Sequence, residues 1–278
     1  MPPYLTLLLS VCLSGAGSGS PQPLIIGIDH IPVVVANLEK AQADFRAMGF
    51  RIKPGRPHAD GIRNAHVKFP DGSEIELITA PEAVDALTAE YRAKLATGVG
   101  PVYFGLYAPD QDALSARIRG LPDVAADDHG LVGFAPGSPL HPLFFGQRNK
   151  SPTDLPEHFG HENTAVRLSA LWVPDSQELR ALLARLGVPL APTRLCGVTG
   201  GDEGTVATLP EGKLYLVPSS RKNVIAARVE VRSVNSVKTV LGRSGVSFEE
   251  DGSCDPHAVW VAPSHAHGIW IEFIEQRK

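Results

Sequence analysis

A spacing that recurs four times constrains this chain more than any other feature. In four places a helix-like stretch ends in glycine plus an apolar residue: Gly49-Phe50, Gly120-Leu121, Gly187-Val188 and Gly245-Val246. A strand-like stretch of fixed phase follows each one. Counting 27 residues on from the first, second and fourth glycine reaches Glu76, Gln147 and Glu272, and 28 from the third reaches Tyr215. Self-similarity at a fixed period marks repeated supersecondary units, and it decides the fold before any local reading does. The pattern predicts four copies of one small β-α-β-β-β unit.

The first unit spans residues 24–79. An apolar, β-branched strand over 24–35 is followed by Asn37 as helix N-cap. Leu38, Ala41, Phe45 and Met48 then recur at helical spacing, and Gly49 fits the left-handed position after the helix. Pro70-Asp71-Gly72 is a turn into a closing strand over 74–79. The second unit spans 101–147 with Asp110 as cap, the third 165–217 with Asp175, and the fourth 224–274. Residues 80–100 and 148–164 are connectors, the first helical over 81–95. Domain organisation follows: a leader or extension over 1–23, a first pair of units over 24–150, and a second pair over 163–278.

Bulk properties exclude some partners. The 26 basic and 30 acidic residues are dispersed, with net charge −4, so no basic face for nucleic acid is expected. No apolar run is long enough for a transmembrane helix. Residues 5–13 are apolar and 14–20 small, like the core and cleavage regions of an export signal. No Lys or Arg precedes them, so cytoplasmic and exported locations both stay open. Cys12, Cys196 and Cys254 form no zinc spacing; a Cys196–Cys254 disulfide and two idle thiols are the alternatives. Gly197-Val-Thr-Gly-Gly201 lacks the Lys-Ser/Thr pair of a phosphate loop and reads as a turn.

Strand parity selects candidate site residues. Glu76 stands between Ile75 and Leu77, and Glu272 between Ile271 and Phe273, so each carboxylate faces either a hollow in a curved sheet or solvent. His30 follows Asp29 in an apolar strand, as a core histidine or a ligand. His58 and Asn64 lie in a Gly/Pro-rich loop and the strand after it, where they either hold the loop or contact a carbonyl or hydroxyl group. His66 shares the parity of Asn64. Tyr103 either projects a phenol into the hollow or fills it. His161 and Asn163 precede the third unit, at the mouth of the hollow or as anchors of the connector. His141, His257, His265 and His267 read as turn residues.

Gly27-Ile-Asp-His30-Ile-Pro-Val-Val-Val35 and Asp71-Gly72-Ser-Glu-Ile-Glu76-Leu77 resemble the vicinal oxygen chelate superfamily. Its members include glyoxalase I, extradiol dioxygenases and bleomycin-binding proteins. Pro54-Gly55-Arg56-Pro57-His58, His161-Glu162-Asn163 and Ala266-His267-Gly268 resemble its large glyoxalase-like branch. The resemblance implies an α+β fold in which four βαβββ modules form two paired, curved-sheet barrels. It implies a metal inside the first barrel held by His30, Glu76 and Gln147, with Glu76 also the candidate catalytic carboxylate. The ion would be divalent, Mn, Fe, Ni or Zn. Substrate contacts would come from His58, Asn64, Tyr103, His161 and Asn163. The second pair offers Leu168, Tyr215, Ala226 and Glu272, which cannot chelate.

Two functions follow, beside a third possibility, a catalytically silent scaffold. One is a metal-dependent enzyme of lyase, isomerase or dioxygenase type acting on a small oxygen-bearing substrate. The other is a metal-free protein that binds or sequesters a small molecule, with Trp172, Trp260, Trp270 and Phe144-Phe145 as pocket walls or as core. A homodimer is compatible with either.

Overall fold

The computed structural model describes residues 23–126, 131–148, 150–195, 197, 203–218, 220, 222–250 and 257–276. The leader, the three cysteines and residues 198–202 of the glycine-rich turn lie outside the described residues.

Module one contains β1 (Gly27–Ile28), β2 (His30–Val34), α1 (Leu38–Ala47), β3 (Lys53–Pro54), β4 (Arg63–Lys68) and β5 (Glu74–Thr79). A connecting helix, α2 (Ala86–Thr97), leads to module two: β6 (Gly100–Pro101), β7 (Phe104–Tyr107), α3 (Gln111–Ile118), β8 (Val124–Ala126), β9 (Val132–Phe134) and β10 (Leu143–Gly146). Module three comprises β11 (Ala165–Pro174), α4 (Gln177–Arg185), β12 (Leu190–Arg194), β13 (Glu203–Leu209) and β14 (Gly212–Val217). Module four comprises β15 (Ala226–Val231), α5 (Val234–Ser244), β16 (Glu249–Glu250), β17 (Val259–Val261) and β18 (Trp270–Glu275). The mixed α+β class and the fourfold module agree with the repeat.

Local chemistry explains the helix ends. The Asn37 side chain accepts from the Lys40 N–H at 2.8 Å, satisfying a donor that the first helical turn leaves unpaired. Gly49, Gly120, Gly187 and Gly245 all have φ between +68° and +87°. A Cβ is disfavoured in that region, which is why glycine recurs at this point of every module. The cap of α4 is Ser176 rather than Asp175: Ser176 accepts from the Leu179 N–H, while Asp175 pairs with Arg180. The connecting helix runs over Ala86–Thr97 rather than 81–95, because Asp85 and Thr88 form a reciprocal capping box there.

Modules three and four share one eight-stranded sheet in the order β12-β13-β14-β11-β15-β18-β17-β16. Modules one and two form two five-stranded sheets, β3-β4-β5-β2-β6 and β1-β7-β10-β9-β8. These two are one curved sheet with an interruption. Val33 pairs with Pro101 and Gly27 with Tyr107 in a single antiparallel register. The Asp29 N–H still donates to Gly105 O at 2.9 Å across the gap. The combined order therefore repeats that of the second half. In each half the inner strands of two modules meet edge to edge, and each is flanked by a parallel partner.

One apolar core runs through both halves and takes in side chains of α1, α3, α4 and α5. Arg117 and Arg185 exchange hydrogen bonds with each other's backbone, joining α3 to α4. The four helices thus lie on the convex faces of the sheets. Each concave face has its own small cluster: Val34, Ile62, Ile78, Tyr91 and Val102 in the first half, Trp172, Trp260 and neighbours in the second.

Candidate functional site

The concave face of the first half gathers the polar side chains. In β4, Ala65 and Val67 enter the core, so Asn64, His66 and Lys68 face the hollow. In β5, Ile75 and Leu77 enter the core, which turns Glu74 and Glu76 inward. In β10, Leu143 and Phe145 are core and Phe144 faces the hollow. Between Ile28 and Ile31, both core residues, the parity breaks at the interrupted register. Asp29 and His30 consequently both turn to the concave side. His30 alternates with the core residues Ile31, Val33 and Val35, and the irregularity brings Asp29 to the same side.

His30 is held by a carboxylate. Its Nδ1 bonds Asp29 Oδ1, and Asp29 Oδ2 accepts from the Arg148 N–H. Two glycines make room. A Cβ on Gly146 would lie 2.5 Å from Asp29 Cγ, and one on Gly105 would lie 2.5 Å from the Phe144 ring. His30 Nε2 is 3.9 Å from Glu76 Oε2, and the Phe144 ring lies 4.7 Å from the imidazole. Glu76 Oε1 accepts from Asn64 Nδ2 at 2.7 Å. Burial disfavours charge on His30, but Asp29, with Glu74 and Glu76 nearby, outweighs it and pushes the imidazole up to about 9.

Beside this group runs a compensated ion network. Glu74 Oε1 faces His66 Nδ1 at 3.0 Å, and Glu74 Oε2 faces Lys68 Nζ at 3.2 Å. Burial opposes the Glu74 charge, yet His66, His30 and Lys68 hold it down to about 2. Asp154, from the second connector, takes Lys53 at 2.6 Å and Lys68 at 3.2 Å. These charges are spent on each other.

Three of the expected residues therefore meet in the hollow: His30, Asn64 and Glu76. His58 stands in the loop before β4, with its Nε2 buried and without a partner among the described residues. Asn64 Oδ1 is likewise buried and unpartnered. Tyr103 turns its hydroxyl to Glu90 of α2, next to His141.

Gln147 is a correction. It follows the end of β10, is exposed, and shares the parity of the core-facing Leu143 and Phe145. The count from Gly120 slips by one residue, and the concave position belongs to Gly146, pressed against Asp29. His161 and Asn163 are a second correction: they join the halves. His161 Nδ1 accepts from the Arg51 N–H at 3.0 Å, and its Nε2–H donates to Lys68 O at 2.9 Å. Asn163 Nδ2 donates to Met48 O, and its Oδ1 accepts from the Ala165 N–H. Both side chains are buried and each polar atom has a backbone partner, so they fasten the joint rather than line the hollow.

In the second half the hollow is filled. Trp172 and Tyr215 pack against Arg228, Trp260 lies edge-on to Trp172 and Trp270 edge-on to Trp260, and Arg228 bonds Glu272 across the parallel β15–β18 pair. Leu168 belongs to the core side, and the facing residue of that strand is Trp172. Glu272 is thus a buried, paired carboxylate.

The donor set does not complete a metal site. His30 and Glu76 offer two donors, Gln147 faces away, and the network of Glu74 is closed on lysine and histidine. Among the described residues no group of three or more His, Cys, Asp or Glu side chains is arranged to hold a metal. A catalytic ion of this type takes three protein ligands.

Comparison with known proteins fits the fold. The chain aligns over 91% of its length with a xylose isomerase-like TIM barrel/4-hydroxyphenylpyruvate dioxygenase fusion protein, at 12% identity and a TM-score of 0.65, and spans 49% of that chain. It aligns over 91% with a mutant 4-hydroxymandelate synthase from Streptomyces coelicolor, at 11% identity, TM-score 0.63 and 93% of that chain. The 2,3-dioxygenase LapB from Pseudomonas sp. KL28 aligns over 92%, at 12% identity, TM-score 0.62 and 94% of that chain. At these identities the likeness is one of fold. No curated protein sequence matches the chain. The family model described as a glyoxalase-like domain matches residues 28–187. With that match covering more than half the sequence, and with the paired modules around two concave sheets, the chain belongs to the glyoxalase-like family of the vicinal oxygen chelate fold.

Proposed function

We propose that the chain binds a small, neutral molecule with two adjacent oxygens, a hydroxyl beside a carbonyl or a second hydroxyl, in the hollow of its first half. One observation carries this reading: His30 Nε2 and Glu76 Oε2 face each other at 3.9 Å, a donor beside an acceptor, and neither is closed by a hydrogen bond. Asn64 Oδ1 beside them is buried without a partner, and buried polar atoms are almost always partnered, so the group suits a ligand's own polar atoms. A carbonyl would accept from Nε2 and a hydroxyl would donate to Glu76. A second anion would be repelled by the Glu76 carboxylate, hence the neutral class. The Phe144 ring supplies an apolar wall. In this reading Glu76 is the group placed to receive a proton from a bound hydroxyl.

Isothermal titration with catechol and phenol tests it. Catechol should bind, and phenol, with one oxygen, should bind at least tenfold more weakly. His30→Gln and Glu76→Gln should each weaken catechol by roughly tenfold or more, the loss expected for hydrogen bonds to charged groups. Equal binding of the two probes, or unchanged binding by both variants, refutes it. The Asp29–His30 pairing also favours a second reading, since a carboxylate on the far nitrogen commonly orients a metal-binding imidazole. Native metal content and thermal shifts with Mn²⁺, Ni²⁺ or Zn²⁺ decide between the two.

A further inference from the structure

The helix between modules one and two is attached unlike the others. α1 buries Leu38, Ala41 and Phe45 in the shared core, α3 buries Leu114 and Ile118 there, α4 buries three leucines, and α5 buries Val234, Val237, Val240 and Leu241, whereas α2 contributes nothing to that core. Of the twelve residues of α2 only Thr88 and Tyr91 are buried, and Thr88 belongs to the capping box. Tyr91, with Leu95 beside it, therefore anchors the helix on the concave cluster of Val34, Ile62, Ile78 and Val102. That cluster shares a face with Glu76. Burial, and next the Glu76 carboxylate, push the Tyr91 phenol upward, consistent with α2 lying across the hollow.

The polar attachment is concentrated at one point. Glu90 Oε2 accepts from the Tyr103 hydroxyl and stands 2.9 Å from His141 Nε2, while His141 Nδ1 lies 2.7 Å from Phe134 O. These side chains are 25–30% exposed, so water competes for them. The ends of the helix are suited to movement. Residues 80–85 carry no regular element, and Gly98, with φ of +129° and open space around its Cα, separates the helix from the paired strand β6. A cavity of about 320 Å³ runs along its flank, lined by Arg92 and Leu95 on one side and Leu38, Thr79 and Pro81 on the other. That space gives the helix room to shift without displacing the sheet.

We propose that α2 is a lid over the first hollow, held shut by Glu90 on Tyr103 and His141 and pivoting at Gly98. The inference rests on the binding reading above, and it concerns access to that site. Loops and lids that must open are drawn from the weakly packed parts of a fold.

Hydrogen-exchange mass spectrometry on the full, ligand-free chain reads the lid without any ligand. Glu90→Gln and His141→Gln should speed exchange across 86–97 by about tenfold or more, the range for losing one charge-assisted hydrogen bond, with residues 74–79 unchanged. Stopped-flow association of catechol should accelerate by a similar factor in Glu90→Gln. Unchanged exchange in both variants overturns the lid. Equal acceleration in 74–79 assigns the effect to general destabilisation and overturns it too. Faster exchange with an unchanged association rate overturns gating and leaves the binding reading standing. If catechol does not bind the wild type, the binding reading fails, and the exchange comparison still decides the lid.

Discussion

Acidification should loosen the joint between the halves through a single residue, His161. Its ring is 7% exposed, and both nitrogens are committed to backbone: Nδ1 accepts from Arg51, and Nε2–H donates to Lys68. A second ring proton would destroy the first bond and place a charge in a desolvated site. Burial accordingly lowers His161 from 6.5 to about 4, with Arg51 and Arg232 adding to the effect against the favourable Lys68 carbonyl. Across that interval the unfolded chain binds the extra proton and the folded chain refuses it. Stability is therefore intact above about 6.5 and falls as the pH drops toward 4. One pKa unit is worth about 1.4 kcal/mol, so the loss approaches roughly 3.4 kcal/mol, of which about 2.6 is reached by pH 4.5. His30 has the opposite sign: raised to about 9, it stabilises below 6.5 and loses that contribution as the pH rises through 9. Urea denaturation of the wild type and His161→Gln at about pH 7.5, 6.5, 5.5 and 4.5 isolates the term, because His30 is common to both. A neutral glutamine cannot take up the proton. The wild type should lose about 2.6 kcal/mol more than the variant over that range. Parallel profiles would refute the assignment of a neutral, doubly bonded His161.

Three further outcomes are expected. Gly49→Ala should lower stability by about 2 kcal/mol or more in denaturant titration, because φ is +87° and the new Cβ would sit 2.9 Å from the Asn163 N and Cβ atoms. Glu272→Leu should cost about 3 kcal/mol by stranding Arg228 between Trp172 and Tyr215, and adding Arg228→Met should restore most of it. Gly146→Ala should weaken catechol binding about as much as His30→Gln while leaving the melting temperature closer to wild type, since its Cβ displaces Asp29 from His30.

The repeat was legible because its signal is local. Each module ends its helix on a glycine in the left-handed region, and Asn37 and Asp110 cap as their side chains allow. His30, Asn64 and Glu76 were legible for the related reason that alternation along a strand survives in any register. What failed was non-local. Gln147 was misplaced because the concave position of β10 is set by Asp29 of another module, which demands glycine at 146. His161 and Asn163 look like site residues in sequence, and only backbone groups 93 to 115 positions away reveal them as fasteners. The cap of α4 failed more narrowly: Asp175 and Ser176 are both competent, and the Arg180 pair draws the aspartate away. The 81–95 helix was visible, but not what it covers.

The two halves share one frame and resolve its hollow in opposite ways. The parallel pairs β11–β14 and β15–β18 bring Trp172 beside Tyr215 and Arg228 beside Glu272. Their counterparts in the first half bring His30 beside Glu74, Pro32 beside Glu76, and Gly105 beside Phe144. A charge taken into the interior is tolerable only when its partner comes with it, and Arg228 with Glu272 meets that condition inside the chain. His30 meets it too, on Asp29, whereas Glu76 has the neutral Asn64 amide within hydrogen-bond reach and stays 3.9 Å from His30 Nε2. The same frame is lined with tryptophan in one half and with hydrogen-bonded polar side chains in the other. Such departures from local consistency are expected where function is placed. In the binding reading proposed above, the first hollow is the one left to take a ligand, and the second serves as its scaffold.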